Sequence, residues 1–528
     1  MIYFIPAWGK GQLQGFNTDE MIGPIRSFMA TEEEYKVIVK DYIPELRYFL
    51  HRFDLLESNF LSVYDVLQGT TEFNQNKITF SDLNFPEEAY FVYTPFNLLV
   101  YQEETCIGTI TLGEASQVLE VFYFLEGDTR RVEVYDDRGF LSQCKIFERD
   151  VHIITEILDV KGEWVVRILY PQGKCVVNEK NSQGLLKNNY ESEEELEFEV
   201  LERLLGQMEG DDSLLTSVTN SNIVQLKKSP YLEHMTLSFF RERLNFERES
   251  VEKILGELVT RVLGVILDNE ITLKKVRAIV PQEAQKKLHH LTPYDTRFEL
   301  SISQELKEEV LYLEAGETQG THLSSIVGEL LEYIKNIMFK KNTQRVFKVF
   351  IRVSSDNEKR RLKQLIEGRL FDTFPKEMEL LEKLPAASKE ENSIEIEKLK
   401  KQYPLIAQVS SLKEAWEIQN IRHEAEIFKQ IHSTRLVIDL SDRPDLFTQV
   451  AGISAGIPQI NKVTSEYVKH HKNGWIMQEW RELSLALDYY LEDLRHWQEA
   501  RAYSAQKIKH FSGSQLQEKL RKIVGKQE

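Results

Sequence analysis

Cysteine is nearly absent from this 528-residue sequence: Cys106, Cys144 and Cys175 are the only three, and none belongs to a CxxC pair. So sparse and odd a set excludes a disulfide framework and suits a reducing compartment, so the expected location is the cytoplasm. Long apolar runs are missing as well. Nowhere do about 18 consecutive apolar residues occur, which argues against a bilayer-spanning helix. The opening MIYFIPAW lacks the basic flank of a signal peptide. Positive charge is in deficit, with 66 Lys plus Arg against 84 Asp plus Glu and a net charge of -18. That field repels phosphate backbones and anionic surfaces, so no nucleic-acid partner is expected.

Motor and metal motifs are absent too. There is no G-x-x-x-x-G-K-[ST] string for a phosphate loop and no H-E-x-x-H. The 12 histidines include HH pairs starting at His289 and His470, but form no Cys/His cluster at ligand spacing. No metal and no cofactor are expected.

What is present is enough apolar material, 42% of residues, for the two or three domains that this length calls for. MIYFIPAW reads as a buried strand, and Gly9, Gly11 and Gly15 after it as a tight turn, since their spacing is not the dinucleotide fingerprint. YKVIVKDY and LRYFLHRF continue a strand and helix rhythm. Over residues 73–184 the pattern changes to period two, in VLEVFYFL, RRVEVYDD, CKIFE, GEWVVRILY and KCVV, with turn signals at Gly127, DDRG and PQGK. This predicts an antiparallel sheet with one wet face. Two readings stand for it: a surface that holds an extended peptide, or an insertion that only decorates the domain.

The acidic run ESEEELEFE reads as a solvated helix face. SLLTSV and NIVQLKK return to the first α/β domain, and VEKILGELVTRVLGVIL reads as one long helix. LTPYDTRFELSI opens a second α/β segment with FKVFIRV and LVIDL as later strands, while ENSIEIEKLKKQ is an exposed connection or helix. From Glu482 to about His510 the tail reads as helix with a stop at Gly513, followed by an amphipathic QLQEKLRKIV. The expected boundaries are 1–72 and 185–290 for the first domain, 73–184 for the sheet insertion, 291–508 for the second domain and 509–528 for a terminal helix.

GISAG, residues 452–456, matches the G-x-S-x-G of serine hydrolases. A nucleophile elbow needs strand, Ser, then helix; here helix precedes Ser454 and strand follows, so Ser454 is not a nucleophile and no catalytic residue is assigned. Trp475 and Trp480 read as packing residues.

The block SDRPDLFTQVAGISAGIPQINKVTSEYVKHHKNGWIMQEWRELSLALDYYLEDL resembles the C-terminal domain of GT-B glycosyltransferases, with Ala455-Gly456-Ile457-Pro458 at the A-x-G-x-P turn, Asn473-Gly474 in the loop and Glu482-Leu483 with Ala486-Leu487 in the final helix. The resemblance implies two Rossmann-like domains facing a cleft, with the antiparallel insertion in the first. It places a donor site around Ala451, Gly456, Pro458, Asn461, Thr464 and Glu466. There a glycine turn would let backbone amides approach a diphosphate at a helix N-terminus.

Donor-using members of the retaining branch carry two glutamates eight positions apart, the second holding the ribose. This register puts Arg443 and Ala451 there, with Asp442 and Asp445 as shifted substitutes. ELSISQELKEEVLYLEAGE offers Lys307 as its only obvious cation for a diphosphate.

With MIYFIPAW, YDVLQG and VYDDRGF, the whole chain resembles the first accessory secretion proteins of the accessory Sec system, which serve export of serine-rich repeat adhesins. The resemblance implies a retired transferase kept as a carbohydrate-binding scaffold. Its implied partners are the second and third accessory secretion proteins, the accessory SecA-type motor ATPase and the glycosylated adhesin, and its place the cytoplasm or the inner membrane face through those partners. It also implies that the hairpin Tyr135, Asp136, Asp137 and Arg138 helps to hold the acceptor polypeptide. The alternative is an active GT-B transferase acting on Ser/Thr-rich repeats.

Overall fold

The structure is a computed structural model of the 528-residue chain. It describes all residues except 10–18, 32, 73–75, 77, 96, 125–128, 241–242, 247–248, 317–319, 341–344, 384–393, 395, 422–423 and 526–528. Gly11 and Gly15 of the N-terminal glycine turn, the first residues of the sheet insertion and part of ENSIEIEKLKKQ therefore lie outside the described residues. The chain divides into two compact units, Met1–Gly15 with Asp19–Pro293 and Gln517–Glu528, and Phe16–Thr18 with Tyr294–Leu516.

The first unit is built on a seven-stranded parallel sheet. Across it lie Leu288–His290, Gly264–Leu267, Met235–Phe239, Ser213–Ser217, Ile2–Ile5, Tyr35–Val39 and Phe60–Ser62. The strands are short apolar runs covered on both faces, as parallel strands require: Phe4, Val37, Leu237 and Val265 are all fully buried. Winding reverses between Ile2–Ile5 and Ser213–Ser217, which makes a topological switch point there.

The ten-stranded antiparallel sheet enters between Phe60–Ser62 and Ser213–Ser217. It runs as a meander from Tyr90–Tyr93 to Asn189–Tyr190, each strand beside its neighbour in sequence. Val166, Ile168, Cys175 and Val177 of its later strands belong to the same core as Tyr3, Leu67 and Leu201, so the sheet is part of the domain. The last residues also belong to this unit: Gln517 Nε2 donates to Thr31 Oγ1 at 2.9 Å and Arg521 Nε to Glu33 Oε2 at 2.8 Å.

The second unit carries a six-stranded parallel sheet in the order Trp416–Asn420, Val346–Val353, Glu308–Glu314, Thr434–Asp439, Gln459–Asn461, Gly474–Ile476. Numbered along the chain this is 3-2-1-4-5-6, the doubly wound order with its switch point between Glu308–Glu314 and Thr434–Asp439.

Several sequence expectations need correction. VEKILGELVTRVLGVIL is the helix Glu249–Arg261 followed by the strand Gly264–Leu267; GVIL satisfies either period, and four fully buried residues settle it as strand. LTPYDTRFELSI has no regular structure, and the second sheet begins at Glu308. The tail is two helices, Glu482–Leu491 and Leu494–Ile508, the second capped by the Asp493 side chain accepting from Arg495 N. Gly513 opens the last helix, Gly513–Val524, instead of closing the one before.

The acidic run is not a solvated face throughout. Glu197 is buried, accepting from Lys40 Nζ at 2.5 Å and Tyr64 Oη at 3.0 Å, while Tyr64 also donates to Glu193 Oε1 at 2.5 Å.

Candidate functional site

Open α/β sheets bind ligands outside the carboxyl ends of their strands, at the switch point. In the second unit, that place is occupied by acids. Glu314 and Asp439 face each other in register as the terminal pair of the two central strands, and both are buried. Arg352, near the end of the next strand, reaches across with Nη1 2.9 Å from Glu314 Oε2 and 3.3 Å from Asp445 Oδ2. Asp439 accepts from Ser441 Oγ at 2.7 Å and from Asp445 N at 2.7 Å.

Burial pushes Glu314 up to about 8, outweighing the pull of Arg352, and pushes Asp439 up to about 6 against its hydrogen bonds. Arg352, flanked by Glu314 and Asp445, is held further above its ordinary value.

The first unit repeats this arrangement beside its own switch point. Arg243 donates to Glu20 Oε2 at 2.7 Å and to Asp19 Oδ2 at 2.6 Å, while Glu20 accepts from Ser217 Oγ at the end of Ser213–Ser217. In both units an arginine beside the switch point is paired with two carboxylates of the protein.

The helix Leu446–Ala455 carries Ala451 and is closed by Gly456, and the other candidate donor residues follow it. Its N-cap is Asp445, whose Oδ1 accepts from Thr448 N at 2.7 Å. Ala451 lies inside the helix, fully buried, so the ribose-holding position has neither a carboxylate nor access. Arg443 is exposed, and Asp442 is paired with Lys462 at 2.5 Å.

Gly456 is the left-handed residue that ends this helix, at φ 67°, with its N–H on the Ile453 carbonyl and Ile457 N–H on that of Gly452. The helix therefore ends at the glycine turn, with strand after it as the sequence indicates, and the turn stands at the carbonyl end, whose partial charge is negative and disfavours a diphosphate. The start of the helix is ten residues back, about 15 Å away at ~1.5 Å per residue. A Cβ on Gly456 would also lie 2.9 Å from Leu300 Cδ2, so the turn is packed by protein.

Pro458 follows it and passes its carbonyl to Val437 N at 3.1 Å. Asn461 is buried beside Asp439 at the strand end, Thr464 is exposed, and the Glu466 carbonyl accepts from Lys507 Nζ. The structure thus brings Asn461 to the crevice with Glu314, Arg352 and Asp439, and leaves Ala451, Gly456 and Pro458 in the packed interior.

Ser454 is buried in the last turn of the helix, its Oγ donating to the Val450 carbonyl and accepting from Arg297 N, both at 3.0 Å. Trp475 and Trp480 pack against the second core.

The hairpin Tyr135 to Arg138 turns most of its side chains inward, with Asp137 half-buried. Arg138 is buried and donates from Nε to Asp136 at 2.7 Å, from Nη2 to Asp65 at 2.6 Å and from Nη1 to the Thr70 carbonyl at 2.8 Å. Asp137 Oδ2 accepts from the backbone N–H of Arg47 at 2.6 Å and of Tyr48 at 3.1 Å. Tyr135 Oη donates to the buried Glu133 at 2.8 Å. Through these bonds the hairpin fixes the inserted sheet to the helices Leu46–Arg52 and Val63–Gln68.

Among the described residues no group of three or more His, Cys, Asp or Glu is placed to hold a metal ion, and no helix is long and apolar enough to cross a membrane.

A family profile for the first accessory secretion protein of the accessory Sec system matches residues 1–527. The chain belongs to that family. The first accessory secretion protein of Streptococcus gordonii is 29% identical over 98% of this chain and 97% of its own length. That of Staphylococcus aureus is 25% identical over 99% of both. A Streptococcus pneumoniae crystal structure of accessory secretory proteins 1, 2 and 3 contains a chain similar to this one at TM-score 0.74, 26% identity and 99% coverage of both chains.

The pneumococcal O-GlcNAc transferase GtfA, solved with UDP and GlcNAc, matches 99% of this chain and 98% of its own at TM-score 0.68 but only 14% identity. That likeness establishes the GT-B fold and nothing about catalysis. A member of this family is therefore a component of the accessory Sec system built on a glycosyltransferase-like body.

Proposed function

We propose that this chain works in accessory Sec export as a non-enzymatic scaffold, a transferase body that no longer binds a sugar donor. The observation that carries the reading is the switch-point crevice of the second unit. Arg352, at the switch point, is paired with Glu314 and Asp445, while the positions expected to hold a ribose are an exposed Arg443 and a buried Ala451. A donor would have to break the ion pairs in a buried site, at a cost of several kcal/mol, roughly 3–5.

In this reading the chain forms a complex with the second and third accessory secretion proteins, in keeping with the complex solved for its pneumococcal relative. It then helps to deliver glycosylated serine-rich repeat adhesin to the accessory SecA-type motor. Its place is the cytoplasm, at the inner face of the membrane through those partners. The test is to purify the chain with the second and third proteins and offer the complex a glycosylated serine-rich repeat segment with a panel of nucleotide sugars. Retention of the segment without sugar transfer supports the scaffold; transfer that this chain alone catalyses replaces it with an active transferase.

A further inference from the structure

Among the described residues the three sheets have six edges, and five are blunted. Phe60–Ser62, Leu288–His290 and Gly474–Ile476 are three-residue strands with no exposed residue, Asn189–Tyr190 is two residues long, and Trp416–Asn420 shows glutamate and glutamine outward. Short or polar edges are how proteins avoid unwanted strand pairing.

Tyr90–Tyr93, the first strand of the inserted sheet, breaks that rule. Its sequence is YFVY, without Lys, Pro or charge, and three of its four side chains are exposed: Tyr90 at 49%, Val92 at 40% and Tyr93 at 72%. Among the described residues it pairs on one side only, with Leu98–Gln102.

The strand is also held firm. Phe91 turns inward and stacks on Phe80, ring centroids 5.3 Å apart, with Phe85 at its edge. Tyr90 lies over Tyr101 at 5.7 Å and donates its hydroxyl to the Glu103 carbonyl at 2.9 Å. A preordered edge loses little entropy when another strand joins it. At its Tyr90 end Glu87 and Glu88, just before the strand, and Glu103 and Glu104, just after the paired strand Leu98–Gln102, are all exposed. The edge therefore offers apolar side chains beside an acidic end.

We infer that Tyr90–Tyr93 is a docking edge for an extended segment of another protein, which adds a strand to the inserted sheet and carries Lys or Arg where its alternating apolar core passes the Tyr90 end. A second copy of this chain is a poor occupant, because it supplies no basic flank and would bring together two molecules of net charge -18. The site is separate from the donor crevice and stands whether or not the chain transfers sugar.

The probe is a fluorescein-labelled peptide, KKTVTITVKK, titrated against the full chain by fluorescence polarisation, with hydrogen exchange read on the same samples. Saturable binding is expected, with protection gained in the peptide covering Tyr90–Tyr93. Val92→Lys should weaken it at least tenfold while leaving the far-ultraviolet spectrum unchanged. The same probe N-methylated at alternate amides keeps its charge but cannot form the ladder, and should bind at least tenfold more weakly. The inference is overturned by absence of binding, by equal binding of the N-methylated probe, by protection elsewhere, or by a dimer of the chain that Val92→Lys dissolves.

Discussion

Glu314 and Asp439 stand opposite each other at the carboxyl ends of adjacent parallel strands, both buried, in the crevice where a doubly wound sheet receives its ligand. Each is pushed up by burial, to about 8 and about 6. A carboxyl raised above its unfolded value favours the folded state most when protonated. Its contribution is full below the unfolded value, 4.5 for Glu and 3.8 for Asp, and is lost as pH rises through the folded value.

Glu20 and Glu197, raised to about 8 and about 7 in the first unit, act in the same direction. The urea midpoint should therefore fall as pH is raised from 5 to about 9. Glu314→Gln should reduce the part of that fall above about pH 7 by on the order of 1–2 kcal/mol. A midpoint that rises over this range contradicts the buried-acid arrangement.

Arg352→Ala removes the cation from between Glu314 and Asp445 and leaves two acids in a buried site. The expected loss is about 3–5 kcal/mol in chemical denaturation. Arg352→Met with Glu314→Met and Asp445→Asn, which removes the charge of the cation and of both acids, should recover much of that loss, because buried ion pairs give little net stability over apolar packing.

Arg138 joins the inserted sheet to Asp65 and the Thr70 carbonyl. Arg138→Ala should cost about 3–5 kcal/mol. The loss should appear in hydrogen exchange as faster opening of the strands Thr129–Tyr135 and Leu141–Glu148, with the second unit unchanged. Arg138→Lys should rescue only in part, since an ammonium cannot reproduce the planar fork.

Gly456 takes φ 67° and has Leu300 and Arg501 against its missing side chain. Gly456→Ala should destabilise the second unit by roughly 1–2 kcal/mol from the left-handed backbone alone, and more from the contact with Leu300, measured as a lowered Tm. If it leaves Tm unchanged, the turn is not packed as described.

The inserted sheet is legible in the sequence because residues of period two are recorded locally: VLEVFYFL and GEWVVRILY carry their own alternation, and strand order simply follows the chain. The doubly wound cores are legible as alternating apolar strands and helices. What escapes depends on distant partners. Glu197 reads as solvated until Lys40, 157 positions away, and Tyr64 are packed on it. Arg352 does not stand out as the crevice cation because it lies 38 residues beyond Glu314, and only the pairing of Glu308–Glu314 with Val346–Val353 brings the two together. The hairpin VYDDRGF looks like an exposed charged turn. Its burial follows from Asp65, Thr70 and the backbone of residues 47–48, none of which is near it in sequence.

The most direct test of the scaffold is titration calorimetry of the full chain against UDP-GlcNAc, UDP-glucose and UDP alone near pH 7. With Arg352 paired and Ala451 in the ribose position, no saturable heat is expected up to millimolar ligand. Binding at micromolar concentration that Arg352→Ala abolishes, with the protein still folded, would show that the crevice accepts a donor and would contradict the account.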